Sequence, residues 1–85
     1  MDIFYHEKFK RQFKKLDRRV KELAYEREAI FLKNPFDPRL KTHKLHGALA
    51  DYWTISVDNR HRIILKFMDS KTAKFYEIGD HSIYE

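Results

Sequence analysis

The stretch LHGALADYWTISVDNRHRII, residues 45–64, decides the fold. Within it Trp53, Ile55 and Val57 alternate with Tyr52, Thr54 and Ser56, the period of two expected of a strand that buries one face. Asp58-Asn59-Arg60 reads as a turn, and Ile63, Leu65 and Phe67 form the apolar set of the next strand, with Arg62, Ile64 and Lys66 opposite. Burial selects the turn length. A three-residue loop keeps Trp53, Ile55 and Val57 on the face shared with Ile63, Leu65 and Phe67, whereas a two-residue loop sets them on opposite faces. The stretch therefore predicts an antiparallel hairpin with Thr54, Ser56, Arg62 and Lys66 on an open face.

Towards the C-terminus, Asp69-Ser70-Lys71 is a second turn. Ala73, Phe75 and Glu77 against Lys74, Tyr76 and Ile78 make a third strand, which Gly79 stops before the short tail Asp80–Glu85. Towards the N-terminus, residues 39–50 read as a basic, irregular connection. Asn34-Pro35-Phe36-Asp37-Pro38 ends a helical region, because each Pro disfavours helix in the residue before it. Phe9, Phe13, Leu16, Val20 and Leu23 step by four and three, which is helical spacing. One helix from Glu7 to Leu32 would run ~39 Å, yet a domain of this size has a radius of gyration of only about 12 Å. A break is expected near Leu16–Arg18, with Asp17 capping a second helix. Ile3, Phe4 and Tyr5 open the chain as a short strand, at an edge or in the centre. The predicted class is α+β: an N-terminal strand and a helical hairpin packed on one face of an antiparallel β-meander, with residues 1–85 as a single domain.

Bulk properties narrow the partners. The net charge is +5, and the excess is uneven: residues 1–33 carry ten Lys and Arg against six Asp and Glu, residues 69–85 two against four. Such a surface favours an anionic partner, nucleic acid first and an acidic protein second. No apolar run approaches the ~18 residues of a membrane span and none reads as a signal peptide, so no membrane role is expected. Without cysteine there is neither a disulfide framework nor a thiolate metal site. A cytoplasmic setting fits.

Four side chains carry the candidate chemistry. Arg62 stands mid-strand, where a guanidinium needs solvent or an anion; it is either a phosphate ligand or a solvated residue paired with an acid. His43 lies in the basic connector, either as a proton-transfer group or as a surface imidazole. His81 and Tyr84 follow the last strand, where functional groups and idle tails both occur. A metal site from His43, His46, His61 and His81 lacks recognisable ligand spacing, so no metal and no cofactor are expected. Lys8, Lys10, Arg11, Lys14, Lys15, Arg18, Arg19 and Lys21 spread over the polar side of the helical hairpin as a phosphate-backbone footprint without sequence specificity. If the sheet folds as patterned, Arg62 and two distant imidazoles converge beside that basic surface, a combination suited to cleaving an RNA phosphodiester.

The pattern Leu45-x-Gly47-x-Leu49-x-x-x-Trp53-Thr54, then Val57, then His61-Arg62-Ile63-Ile64 resembles the RelE/ParE superfamily of type II toxin–antitoxin toxins, above all the YoeB-like and YafQ-like ribosome-dependent mRNA interferases. Gly79-Asp80-His81-Ser82-Ile83-Tyr84 also looks like the Gly-Thr-His ending of the YafQ branch. The likeness covers essentially the whole chain. It implies a metal-independent endoribonuclease that uses the RNA's own 2′-hydroxyl as nucleophile. His43 would act as base, Arg62 would stabilise the phosphate, His81 would protonate the leaving oxygen, and Tyr84 would be a terminal aromatic. Lys10, Arg11, Lys14, Lys15, Arg18, Lys41, Lys44, His46 and Arg60 would grip RNA. The implied partners are the ribosome, its mRNA and a cognate antitoxin. Ser56 and Arg60 stand where the YafQ branch has a His and an Asp, and His81 stands where the RelE branch has a second Arg. The ParE branch has the same fold and targets DNA gyrase without cutting RNA, so a gyrase inhibitor or a degenerate, non-catalytic toxin is the alternative.

Overall fold

The computed structural model describes residues 1–80 of the chain. In order these form β1 (Asp2–Tyr5), α1 (Glu7–Lys14), α2 (Arg18–Lys33), a 3-10 turn (Pro38–Leu40), β2 (His43–Lys44), a second 3-10 turn (Gly47–Leu49), β3 (Trp53–Ser56), β4 (Arg62–Asp69) and β5 (Thr72–Gly79). One five-stranded sheet runs β1-β5-β4-β3-β2. Neighbours from β2 to β5 are antiparallel. β1 occupies the edge and pairs parallel to β5.

The helical region breaks where its caps require. His6 accepts the Lys8 N–H at Nδ1 (3.1 Å) and starts α1. Asp17 accepts the Val20 N–H (2.9 Å) and starts α2. Losing such a cap costs about 1 kcal/mol. An unbroken helix of ~39 Å would also overshoot the molecule, whose longest dimension is 31 Å.

Phe9, Val20, Ile30 and Phe31 of the helices pack against Ile55, Ile63, Leu65, Ala73, Phe75 and Ile78 of the sheet. Phe31 anchors this core, its ring centroid 5.3 Å from Phe75 and 6.0 Å from Phe67. Phe36, in the proline segment, reaches Trp53 (5.6 Å) and Phe67 (5.7 Å), so the linker is fastened to the sheet by rings. Each fully buried apolar side chain of this size contributes ~1.5–3 kcal/mol.

The β3–β4 turn closes as burial demands. The Val57 N–H donates to the His61 carbonyl (2.9 Å) across residues 58–60, and Trp53 faces Leu65 while Ile55 faces Ile63. Three expectations need correction. Residues 39–50 are less irregular than their composition implies, because His43–Lys44 pairs with β3 as a two-residue strand. Ile78 belongs to the core and Glu77 to the other face, the reverse of simple alternation. Ile64 pairs with Glu77 and Leu65 with Phe75, so Tyr76 is an unpaired bulge residue that shifts the phase by one. The face away from the helices is also not open throughout. Thr54 is 0% and Ser56 9% exposed, and Ile64 is buried there too. Tyr52 and Tyr76 meet across β4 with ring centroids 5.3 Å apart, which roofs that part of the sheet.

Candidate functional site

The short strand β2 sets the site. His43 stands opposite Thr54 and Thr54 opposite Ile64, while Ser56 stands opposite Arg62. Side chains alternate faces along a strand, so His43, Thr54, Ser56, Ile64 and Arg62 all belong to the face away from the helices. Strand spacing of about 4.8 Å and a rise of about 3.3 Å put the Cα atoms of His43 and Arg62 roughly 12 Å apart. Two long side chains on one face at that separation can address a single phosphodiester between them.

His43 is exposed, and its Nδ1 lies 2.9 Å from the Lys41 carbonyl oxygen. A carbonyl only accepts, so Nδ1 carries the proton and the Nε2 lone pair is left to act as a base. Lys41 holds a left-handed backbone, φ 52°, in the tight turn that closes Pro38–Leu40 and leads into β2. Gly47, at φ 68°, begins the second 3-10 turn; a Cβ there would meet nothing within 4 Å, so backbone conformation alone favours glycine.

Arg62 is half-buried. Its Nη1 donates to Ser56 Oγ (2.8 Å) and to the carbonyls of Asp58 (2.7 Å) and His61 (3.4 Å). Ser56 Oγ donates in turn to the Asp58 carbonyl (3.1 Å). One nitrogen thus ties the guanidinium to the β3–β4 loop. Among the described residues Nε and Nη2 take no such bond, and that edge of the fork is the one that matches two phosphate oxygens.

The loop itself is held by Asp58. Its carboxylate accepts the backbone N–H groups of Arg60 (2.8 Å) and His61 (2.7 Å) and the His61 Nδ1–H (3.0 Å), and pairs with Arg19 of α2 (3.1 Å). Partial burial opposes its charge, but the two backbone donors and the imidazole prevail and hold the carboxyl well below the ordinary carboxylate range.

The remaining expected residues divide. Lys41, Lys44 and His46 are exposed around β2, and Arg60 is exposed at the tip of the β3–β4 turn. Lys10, Arg11 and Lys14 instead line a groove of about 430 Å³ beside α1, α2 and β1, together with Tyr5, Phe13, Tyr25 and Glu28. There the Tyr5 hydroxyl donates to Glu28. Burial and then the adjacent carboxylate push that phenol above its ordinary range. The helical cations are also less one-signed than their run implies: Lys8 pairs with Glu77, Lys10 with Glu7, Arg18 with Glu22 and Arg19 with Asp58. Lys15 is exposed immediately after α1. His81 and Tyr84 lie outside the described residues. Among the described residues no three His, Asp or Glu side chains gather to hold a metal, and no helix is long and apolar enough to cross a membrane.

Sequence reasoning passed over Tyr52, Tyr76 and His6; Tyr76 touches both of the others, on the same sheet face as His43. The signal was present: Tyr52 and Tyr76 occupy outward positions in strand patterns, where a ring has no core to fill. Gln12 was also passed over. Its side-chain oxygen accepts the Ile78 N–H (2.9 Å) and its amide reaches Glu77 (3.4 Å), so α1 completes the edge of β5 beyond the end of β1.

No protein-family model matches the chain, and no curated protein does. Solved structures do match. A YoeB/ParE toxin from Agrobacterium tumefaciens superposes with a TM-score of 0.81 at 19% identity, covering 95% of this chain and 99% of that one. YafQ from E. coli strain BL21(DE3) superposes with 0.81 at 22% identity, covering 98% and 96%. The heterotetrameric YoeB–YefM toxin–antitoxin complex from Staphylococcus aureus gives 0.78 at 18% identity, covering 95% and 97%. Nearly the whole length of this chain therefore has the α+β fold of the RelE/ParE-like toxins, the fold that the motif around Trp53 and Arg62 implied.

Proposed function

We propose that this chain is the toxin of a type II toxin–antitoxin pair and acts as an endoribonuclease on mRNA in the ribosomal decoding site. The observation that carries this reading is the shared sheet face of His43 and Arg62, one with its Nε2 lone pair unspent and the other with its Nε–Nη2 edge uncommitted among the described residues. His43 Nε2 takes the proton from the 2′-hydroxyl, whose oxygen attacks the adjacent phosphorus. The Arg62 fork meets the charge that builds on the phosphorane oxygens. The P–O5′ bond then breaks and the departing oxygen gains a proton, leaving a 2′,3′-cyclic phosphate and a 5′-hydroxyl. His81 is the proposed acid for that last step. The scheme draws on no metal. A cognate antitoxin is the proposed partner, supported by the paired toxin and antitoxin of the S. aureus neighbour.

Purified protein with programmed ribosomes should cut mRNA at defined sites, and Arg62→Ala should lower the rate at least 100-fold, the usual effect of removing one oxyanion donor. Full cleavage by a folded Arg62→Ala protein refutes the role. One observation favours the rival, a gyrase inhibitor without nuclease activity: the three bonds from Nη1 into the β3–β4 loop suit a purely structural arginine. Inhibited supercoiling with mRNA left intact would select that reading.

A further inference from the structure

The geometry points to a base-stacking shelf for single-stranded RNA beside the proposed cleavage site, built from His6, Tyr52 and Tyr76 and flanked by Lys66 and Lys74. This rests on the proposed nuclease reading and adds the surface that would hold nucleotides next to the scissile one. The His6 ring stacks on Tyr76 with centroids 5.4 Å apart and planes inclined at 28°. Tyr76 meets Tyr52 edge to face at 5.3 Å. Lys74 Nζ lies 5.4 Å from the centre of the Tyr76 ring, and Lys66 Nζ 4.9 Å from that of Tyr52.

Three features make this more than a roof over Ile64. Lys66 and Lys74 are direct cross-strand partners, and like charges directly opposite destabilise a sheet. Among the described residues neither has a salt bridge, so the pair lacks a counter-charge that a phosphate backbone would supply. Glu77, the acid next to Tyr76 on this face, is already matched by Lys8 at 3.1 Å. Tyr76 points onto this face by plain alternation with Phe75, the bulge brings Glu77 out beside it, and His6 is exposed at the end of the stack. Finally, Lys66 follows Arg62 by four residues on the same strand face, about 13 Å along β4. Aromatic faces interleaved with cations are what successive unpaired bases and their phosphates require, whereas a duplex conceals its base faces. A base takes the ring face that an ammonium now covers, and the displaced lysine takes the phosphate.

The test is binding of a fluorescently labelled ten-nucleotide single-stranded RNA, followed by anisotropy, with ribosome-dependent cleavage measured in parallel on the same proteins. Tyr76→Leu and Tyr52→Leu keep an apolar cover over Ile64 while removing the π face; each should weaken binding about tenfold. Tyr76→Phe keeps the ring and should bind as the parent does. Lys66→Ala should flatten the dependence of log affinity on log salt by about 0.7. Circular dichroism melts establish that each protein compared is folded. Leu variants that bind within twofold of the parent overturn the shelf, as does a duplex bound as tightly as the single strand; a face reserved for a protein partner would give that first result. Tyrosine-dependent RNA binding in a parent that cuts no mRNA would leave the shelf standing and defeat the nuclease reading. Cleavage by the parent, with Leu variants that bind and cut equally well, would defeat the shelf alone.

Discussion

His43 donates from Nδ1 to the carbonyl oxygen of Lys41 at 2.9 Å, and Lys41 is the one non-glycine among the described residues with a positive φ, 52°. The turn that delivers this carbonyl is thus the turn that sets the tautomer of the proposed base. A β-branched side chain tolerates left-handed backbone poorly. Lys41→Val should cost about 1–2 kcal/mol in thermal or urea unfolding, whereas Lys41→Gly should not. His43→Ala should leave stability near that of the parent and slow ribosome-dependent cleavage by roughly 10²- to 10⁴-fold. Cleavage at the parental rate would remove His43 from the mechanism.

Arg62 has two duties in the proposed scheme, one for each edge of its guanidinium. Lysine keeps the charge but cannot fill the loop acceptors and present a fork at the same time. Arg62→Lys is therefore expected to fold and to retain less than a tenth of the parental cleavage rate. Ser56→Ala removes one of the Nη1 acceptors and should cost about 1 kcal/mol, read from denaturant midpoints.

Asp58 makes stability depend on acid. Its carboxyl is held below the ordinary carboxylate range in the folded chain, so the stability it contributes is fully present above about pH 4 and is lost as pH falls through the lowered folded value. Asp58→Asn should unfold about 1–2 kcal/mol more easily than the parent at pH 7. The gap between the two should narrow as the pH drops below 3. A gap that does not change with pH would mean that the loop is held by something other than this charge.

Gln12 carries a prediction about the sheet edge. Gln12→Ala leaves the Ile78 N–H without its acceptor and should cost about 1–2 kcal/mol. Gln12→Glu restores an acceptor but sets a second carboxylate against Glu77, so at pH 7 it should recover only part of that loss. Thermal melts of the two variants beside the parent separate these effects.

Much of the architecture follows from local rules that need no knowledge of the rest of the chain. Asp17 starts the second helix because a carboxylate there accepts an otherwise orphaned N–H, and Asn34–Pro38 cannot continue a helix. The three-residue turn after Val57 follows from the need to bury Trp53 with Leu65 and Ile55 with Ile63. Each of these is a short-range constraint, and each is found where the residues require it.

What only the tertiary structure decided is everything that depends on one segment meeting another far along the chain. The parallel seat of β1 beside β5, the pairing of His43 with Thr54, and the bulge that sends Glu77 outward and Ile78 inward are all settled by register and packing. A period of two reports alternation and is silent about its phase, so a single bulge residue can reverse it. Apart from the two-residue β2, the sequence by itself determined which residues form helices and strands, and which chemical groups are on offer; the fold decided which of those groups share a face.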